Sequence, residues 1–371
     1  MSAFAGFSVA LALTLTGAAA HAQSIIPKSV ADALTPVFSD KNKLAGSQVN
    51  WDNDAWVFGH TDRWYTNGTR YSWTYRANDP DSTLGRMGSA IGKYAMGIDQ
   101  TPTLTYTVGQ TMYTPRDIKV ATFQPDDRPW AAFLYVGVTG SHNDGQGSFS
   151  TADLKLGLTG QLAVGEFTQE TVHRVIGSPY PAGWAHQLES RLGVQVSYAK
   201  VTLFPQSPQV SFLKDRLGFQ FGWGGAIGTL RNYANANATL VLGDLAGNTA
   251  PPVLIANEGD FVVQDFGRLG VYQKPFLYLS VGANAVLSNY FISGHTASGT
   301  ANVKHLPLVG MAQLGASIPL HAWFNKDRAY WPRLVYALNL RSPEFETIGT
   351  PRLGAIQRWG SITLNWDFDR L

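Results

Sequence analysis

The chain has no cysteine, so neither a disulfide framework nor thiolate chemistry is available to it. Charge is scarce: Asp, Glu, Lys and Arg make up 15% of the residues and the net charge is +2. That balance excludes the basic stripe a nucleic-acid partner would require. Beyond residue 22 no apolar run is long enough to cross a bilayer as a helix. What the sequence does have is glycine (38 residues) and aromatics (12%), a composition that suits strands in contact with lipid.

Residues 1–22 form a short apolar run closed by Ala20-His21-Ala22, a small-x-small cleavage pattern. No Lys or Arg precedes Lys28, so the usual basic start is missing. The expectation is a removed signal peptide at 1–22 and one domain over 23–371.

Alternation of period two runs through that domain. Leu154, Leu156 and Leu158 oppose Asp153, Lys155 and Gly157; Phe219, Phe221 and Trp223 oppose Gly218, Gln220 and Gly222. The polar sides are small and often uncharged, and Tyr and Trp gather near strand ends, as an interfacial girdle requires. Because lipid cannot satisfy an open sheet edge, such strands must close on themselves. The fold class expected is all-β, a transmembrane antiparallel β-barrel of about twelve strands with one short helix in an outer loop. The segments are 49–58, 64–76, 103–113, 130–140, 150–162, 191–204, 209–222, 232–243, 276–286, 303–316, 332–341 and 360–369. Asp244 to Lys274 fits this scheme least well. A passive pore is disfavoured, because inward positions carry residues as large as Phe133 and Tyr135 and a narrow barrel is filled by side chains.

The chemistry concentrates at one rim. In the hairpin from Val49 to Tyr75, Thr66, Gly68, Arg70, Ser72 and Thr74 share one strand face, and Tyr65, Tyr71, Trp73 and Tyr75 the other. Asn53 and Asp54 end the preceding strand. Gly165 to Gly177 reads as a helix stopped by glycine, and it carries His173. With the N-terminus periplasmic, the tip at 59–63, the segment 114–129 and this helix share the outer face. Histidine can take a proton from water near neutral pH. Asp54 with neighbouring amide and hydroxyl oxygens is a hard donor set of the kind Ca2+ prefers. Each feature alone is more often structural. Arg128 and Pro129 are read as loop-shaping, Arg70 and Ser72 as part of a lumenal polar network, and Trp73 and Tyr75 as lipid-facing. His60 and His142 lie near the same face without a matched motif.

Five ordered blocks carry a resemblance. Asn53-Asp54, Asp62 to Gly68, Met112 to Pro115, Asp127 to Tyr135 and His173 to Gly177 resemble the lipid A 3'-O-deacylase family of the Gram-negative outer membrane, matching over about 50–190. The resemblance implies a twelve-stranded barrel whose site sits between barrel and outer leaflet. It implies Ca2+-assisted removal of the 3'-linked acyloxyacyl group from lipid A. It also implies His173 as general base, Asp54 as the calcium ligand, and Asn53 and Thr66 as polar partners. The chain departs from the family pattern where Pro179 replaces an acidic residue six positions after the histidine. Glu166, Glu170 and Glu189 are alternative carboxylates, and Lys119 is the nearest candidate for the basic residue of the second outer loop. The final residue is Leu371 rather than an aromatic. A catalytically decayed barrel with a structural or lipid-binding role is the alternative reading.

Overall fold

The structure is a computed structural model that describes residues 42–54, 57, 63–145, 147–204, 216–243, 274–320, 332–349 and 354–368. The expected signal peptide, His60, Leu371 and almost all of 244–274 lie outside the described residues.

Twelve antiparallel strands close into a barrel: β1 (Lys43–Asn53), β2 (Trp64–Arg76), β3 (Thr103–Thr114), β4 (Ala131–Asn143), β5 (Ser148–Thr159), β6 (Leu192–Phe204), β7 (Leu217–Gly228), β8 (Arg231–Gly243), β9 (Phe276–Asn289), β10 (Leu308–Pro319), β11 (Arg333–Arg341) and β12 (Gln357–Asp367). Each strand pairs with its sequence neighbours, and β1 closes on β12. No helix of the described residues is long and apolar enough to cross a membrane. The outward positions form a continuous apolar belt: Leu154 and Leu156 on β5, Phe221 and Trp223 on β7, Leu279 and Val281 on β9 and Leu338 on β11 are all exposed. Water would penalise that belt, whereas acyl chains solvate it.

Inward positions are polar and paired across strands. Ser72 Oγ meets Thr107 Oγ1 at 2.8 Å and Thr74 Oγ1 meets Thr105 Oγ1 at 2.8 Å, while Arg70 Nη2 donates to Asn50 Oδ1 at 2.7 Å. Each such bond contributes roughly 0.5–1.5 kcal/mol net. At one end an aromatic cluster that includes Tyr65, Tyr113, Phe133, Tyr135, Phe291 and Trp359 packs across the lumen. Outside, Trp73 stacks on Tyr106 with ring centres 6.3 Å apart and Tyr75 meets the same ring edge-on at 6.1 Å. The lumenal reading of Arg70 and Ser72 and the outward reading of Trp73 and Tyr75 both hold.

Several expectations need correction. β1 ends at Asn53 rather than 58, because Gln48, Asn50 and Asp52 are the buried inward set and the chain leaves the sheet directly after them. β7 is described from Leu217, and the expected part of that strand over 209–215 lies outside the described residues. Val303–His305 is not the start of the tenth strand but pairs separately with Phe345–Thr347. A second helix, α1 (Thr83–Ala90), continues as a π-turn over Ile91–Met96. It packs against the base of β3 and β4, with Gly88 beside Leu104 and Ile91 over Gly140. His142 pairs with Ser150 beside the β4–β5 turn, at the end of the barrel opposite Asn53.

The expected helix forms as α2 (Gly165–Ile176) between β5 and β6. The chain reaches it through a 3-10 turn at Gly160–Ala163 and a left-handed Val164 with φ +50°. Gln110 of β3 pins that approach by donating from Nε2 to the Ala163 carbonyl at 2.7 Å.

Candidate active site on the outer wall

The polar rim is shaped by one extra residue. β2 and β3 pair Tyr65 with Tyr113 and then Asn67 with Met112, so Thr66 is bulged out of register. A bulge re-aims side chains by inserting a residue into a period-two pattern. Tyr65 is thereby turned inward, where its hydroxyl donates to Asp52 Oδ2 at 2.7 Å. Gly68 and Arg70, of opposite parity, are also inward. This corrects the expectation that Tyr65 shares a face with Tyr71, Trp73 and Tyr75 and that Thr66 shares one with Arg70. Thr66 instead meets Thr114, an outward residue at the end of β3, with its Oγ1 2.7 Å from Thr114 Oγ1. Both threonines are buried.

Asn53 and Asp54 lie at the end of the neighbouring strand β1. Asn53 is partly exposed and lies opposite Asn67 across the β1–β2 ladder. Asp54 is buried, and its Oδ2 accepts the Arg63 backbone N–H at 2.7 Å. That contact draws the two ends of the hairpin tip together. Next to it Trp64, with a left-handed φ of +65°, donates from Nε1 to Asp127 Oδ1 at 3.1 Å. Burial pushes the Asp127 carboxyl above its usual range, against the pull of hydrogen bonds from the Arg116 and Arg128 amides and the Trp64 indole.

His173 is held on the same outer side of the wall. Gly165 lies so close to Ala132 of β4 and to Trp184 that a Cβ would sit 2.5 Å and 2.6 Å from them. Trp184 is fully buried in a cluster with Met112, Trp130 and Ala132, and its Nε1 donates to Gln169 Oε1 at 2.8 Å. Met112 precedes Thr114 by two residues on the outward face of β3, and Gln169 precedes His173 by one helical turn. The indole thus joins the strand that carries the hydroxyl pair to the helix that carries the imidazole.

The imidazole is oriented by the residue that departs from the family pattern. Helix α2 ends at Gly177, φ +71°, with the Gly177 and Ser178 amides both donating to the His173 carbonyl. This closure folds the chain back, and His173 Nδ1 lies 2.5 Å from the Pro179 carbonyl oxygen. A carbonyl can only accept, so Nδ1 carries the proton and Nε2 is the basic nitrogen. Pro179, at the position where the family pattern has an acidic residue, thus supplies a backbone acceptor to the ring. Glu170 is engaged elsewhere and accepts from the Tyr180 hydroxyl at 2.5 Å.

Buried charged residues support this rim. Arg128 is fully buried over the Tyr113 ring and pairs with Glu344 at 3.2 Å, and Arg341 reaches the other Glu344 oxygen at 3.1 Å. Burial pushes the Glu344 carboxyl up, but Arg341, Arg128, Gln357 and Arg231 outweigh it and hold it below its usual range. Arg128 does shape the loop, as expected, by tying it to the strand that leads into Glu344. Thr114 lies within a quoted block, yet nothing in its spacing marks it as the partner of Thr66.

The outer membrane protein LpxR family model matches residues 7–368. No curated protein matches the sequence. Among solved structures, LpxR from Salmonella typhimurium superposes with a TM-score of 0.65 at 17% identity, covering 87% of this chain and 100% of that one. The translocator domain of the autotransporter NalP from Neisseria meningitidis (TM-score 0.34, 12% identity, 96% and 98% covered) shares far less geometry. The KdgM porin (TM-score 0.33, 6% identity, 87% and 99% covered) is equally distant. With a family match over nearly the whole chain and a twelve-stranded barrel of the same architecture, this protein belongs to the LpxR family of outer membrane proteins, the family its five sequence blocks resemble.

Proposed function

We propose that the chain is a lipid A deacylase of the outer leaflet, hydrolysing the ester that holds the 3'-linked acyloxyacyl group. The observation that carries this reading is the placement of His173. Its Nδ1 is tied to the Pro179 carbonyl, and it sits on the lipid side of the wall rather than in the lumen. An amphiphile whose ester lies at the membrane surface can reach that side without leaving the bilayer. Nε2 of His173 takes a proton from water as the oxygen attacks the ester carbonyl, and later delivers it to the departing sugar oxygen. In this reading the Thr66 hydroxyl and the Asn53 amide serve as the neutral donors to the developing oxyanion.

Ca2+ belongs to the same proposal. Among the described residues no three His, Asp or Glu side chains cluster as a metal site. The donors we assign to the ion are the Asp54 carboxylate with amide and hydroxyl oxygens of Asn53 and Thr66. These are hard oxygen ligands that fit a calcium ion held weakly, because ligand charge sets affinity. When bound, the ion supplies Lewis-acid polarisation of the ester carbonyl.

The decayed-barrel alternative rests on the missing carboxylate at Pro179. The carbonyl contact weakens that argument, since a backbone acceptor orients imidazole well. The test is mass spectrometry of lipid A from outer membranes holding the wild-type protein or His173→Ala, with and without chelator. Loss of one acyloxyacyl mass that requires His173 supports the enzyme. Unchanged lipid A with a folded barrel favours the alternative.

A further inference from the structure

Helix α2 is amphipathic in the reverse of the usual sense. The residues it buries are Gly165, Gln169 and His173. Two of its large apolar side chains point away from the barrel: Phe167 is 71% exposed and Val175 56%. At about 100° per residue Phe167 and Val175 lie within about 80° of each other, on the side away from His173. The approach to the helix continues the pattern, with Leu162 56% and Val164 44% exposed. A globular surface helix turns such residues to the core; here the buried positions go to Gly165, Gln169 and His173 instead.

We infer that α2 dips into the surrounding lipid leaflet and lays Phe167, Val175, Leu162 and Val164 among its acyl chains. The apolar belt of the barrel says what covers this face. Leu156 and Leu158 of β5 run outward directly into the 3-10 turn that carries Leu162, and Leu192 opens β6 on the far side of the helix, exposed like them. The exposed face of α2 is thus the upper margin of a surface already committed to lipid. Arg174, exposed beside Phe167 on this face, has the stem to keep its guanidinium at the phosphates while its methylenes stay with the chains. A helix held this way keeps the His173 ring, on its opposite side, at the depth where headgroup meets acyl chain. That last clause rests on the deacylase reading; the insertion itself does not.

The absence of native cysteine permits a direct test in the full chain. Phe167→Cys, Leu279→Cys in the belt and Lys119→Cys on the exposed loop are each spin-labelled after reconstitution in vesicles of lipopolysaccharide and phospholipid. Oxygen and a water-soluble nickel chelate then compete as relaxants. The expected result is oxygen-dominated relaxation at 167, as at 279, and nickel-dominated relaxation at 119. Nickel dominance at 167 would overturn the proposal, and shielding from both would overturn it in favour of a second copy covering the helix. In a second arm, Phe167→Glu should lower deacylation of vesicle-embedded lipopolysaccharide at least tenfold yet spare the same substrate dispersed in detergent. Equal rates in vesicles would count against the insertion. If even the wild type leaves lipid A intact while 167 reports lipid, the deacylase reading fails and the membrane-dipping helix stands.

Discussion

Replacing Gly177 with alanine loosens His173 without touching it. Gly177 sits at φ +71°, and a Cβ there would meet nothing within 4 Å. The only penalty is therefore the left-handed backbone, about 1–2 kcal/mol for an L-residue. The bond that this turn makes possible, from His173 Nδ1 to the Pro179 carbonyl, contributes about 0.5–1.5 kcal/mol net. The two are of one size, so relaxing the turn competes with keeping the bond. Since about 1.4 kcal/mol is tenfold in rate, kcat for lipid A deacylation in reconstituted vesicles should fall roughly three- to tenfold, with KM unchanged. Gly177→Asn should recover most of the loss, because asparagine tolerates the left-handed region. The loss should vanish in a His173→Ala background, itself down about 10²–10⁴-fold, since there is no ring left to orient. An undiminished rate for Gly177→Ala, or an equal loss with and without His173, would refute the positioning argument.

Thr66→Val removes the 2.7 Å hydroxyl contact with Thr114 and should cost about 1 kcal/mol. It should abolish most deacylation, whereas Thr66→Ser keeps it; initial rates and heat-modified gel mobility separate the two effects. Glu344→Ala leaves Arg128 and Arg341 without their shared carboxylate and should destabilise the rim by about 3–5 kcal/mol, read as faster proteolysis of the surrounding loops. Because Glu344 titrates below its usual range when folded, its contribution is complete above the unfolded value of about 4.3. It is lost as pH falls through the lower folded value, so rim proteolysis should rise in acid below about pH 4 and lose that step in Glu344→Gln. Asp54→Asn should weaken any calcium dependence, seen as activation that needs more Ca2+ after chelation and repletion.

The belt and the barrel were legible in sequence because alternation survives wherever strands are regular: the expected 64–76 is β2, and the expected 232–243 differs from β8 by one residue. Parity arguments fail at a bulge. Nothing in Trp64-Tyr65-Thr66-Asn67 announces the extra residue, so parity puts Tyr65 on the face of Trp73 and Tyr75 although it packs in the lumenal cluster. Helix α1 escaped notice because Gly85, Gly88 and Gly92 interrupt its apolar spacing, yet those glycines permit its close packing on Asp79, Thr101 and Gln100. The helix bearing His173 was legible from its glycine stop. The orienting group was not, because a backbone carbonyl has no sequence signature and Pro179 reads simply as a lost carboxylate.

Asn53 ends β1, the strand that closes the barrel against β12. Its backbone is laddered to Asn67 on one side and to Gly360 of the closing strand on the other. Until β12 docks, that residue has half its frame, and Asp54 beyond it hangs from an open edge. Under the deacylase proposal, closing the β1–β12 seam is what frames the Asn53 end of the site, so the proposed groups would form one site only in the closed barrel.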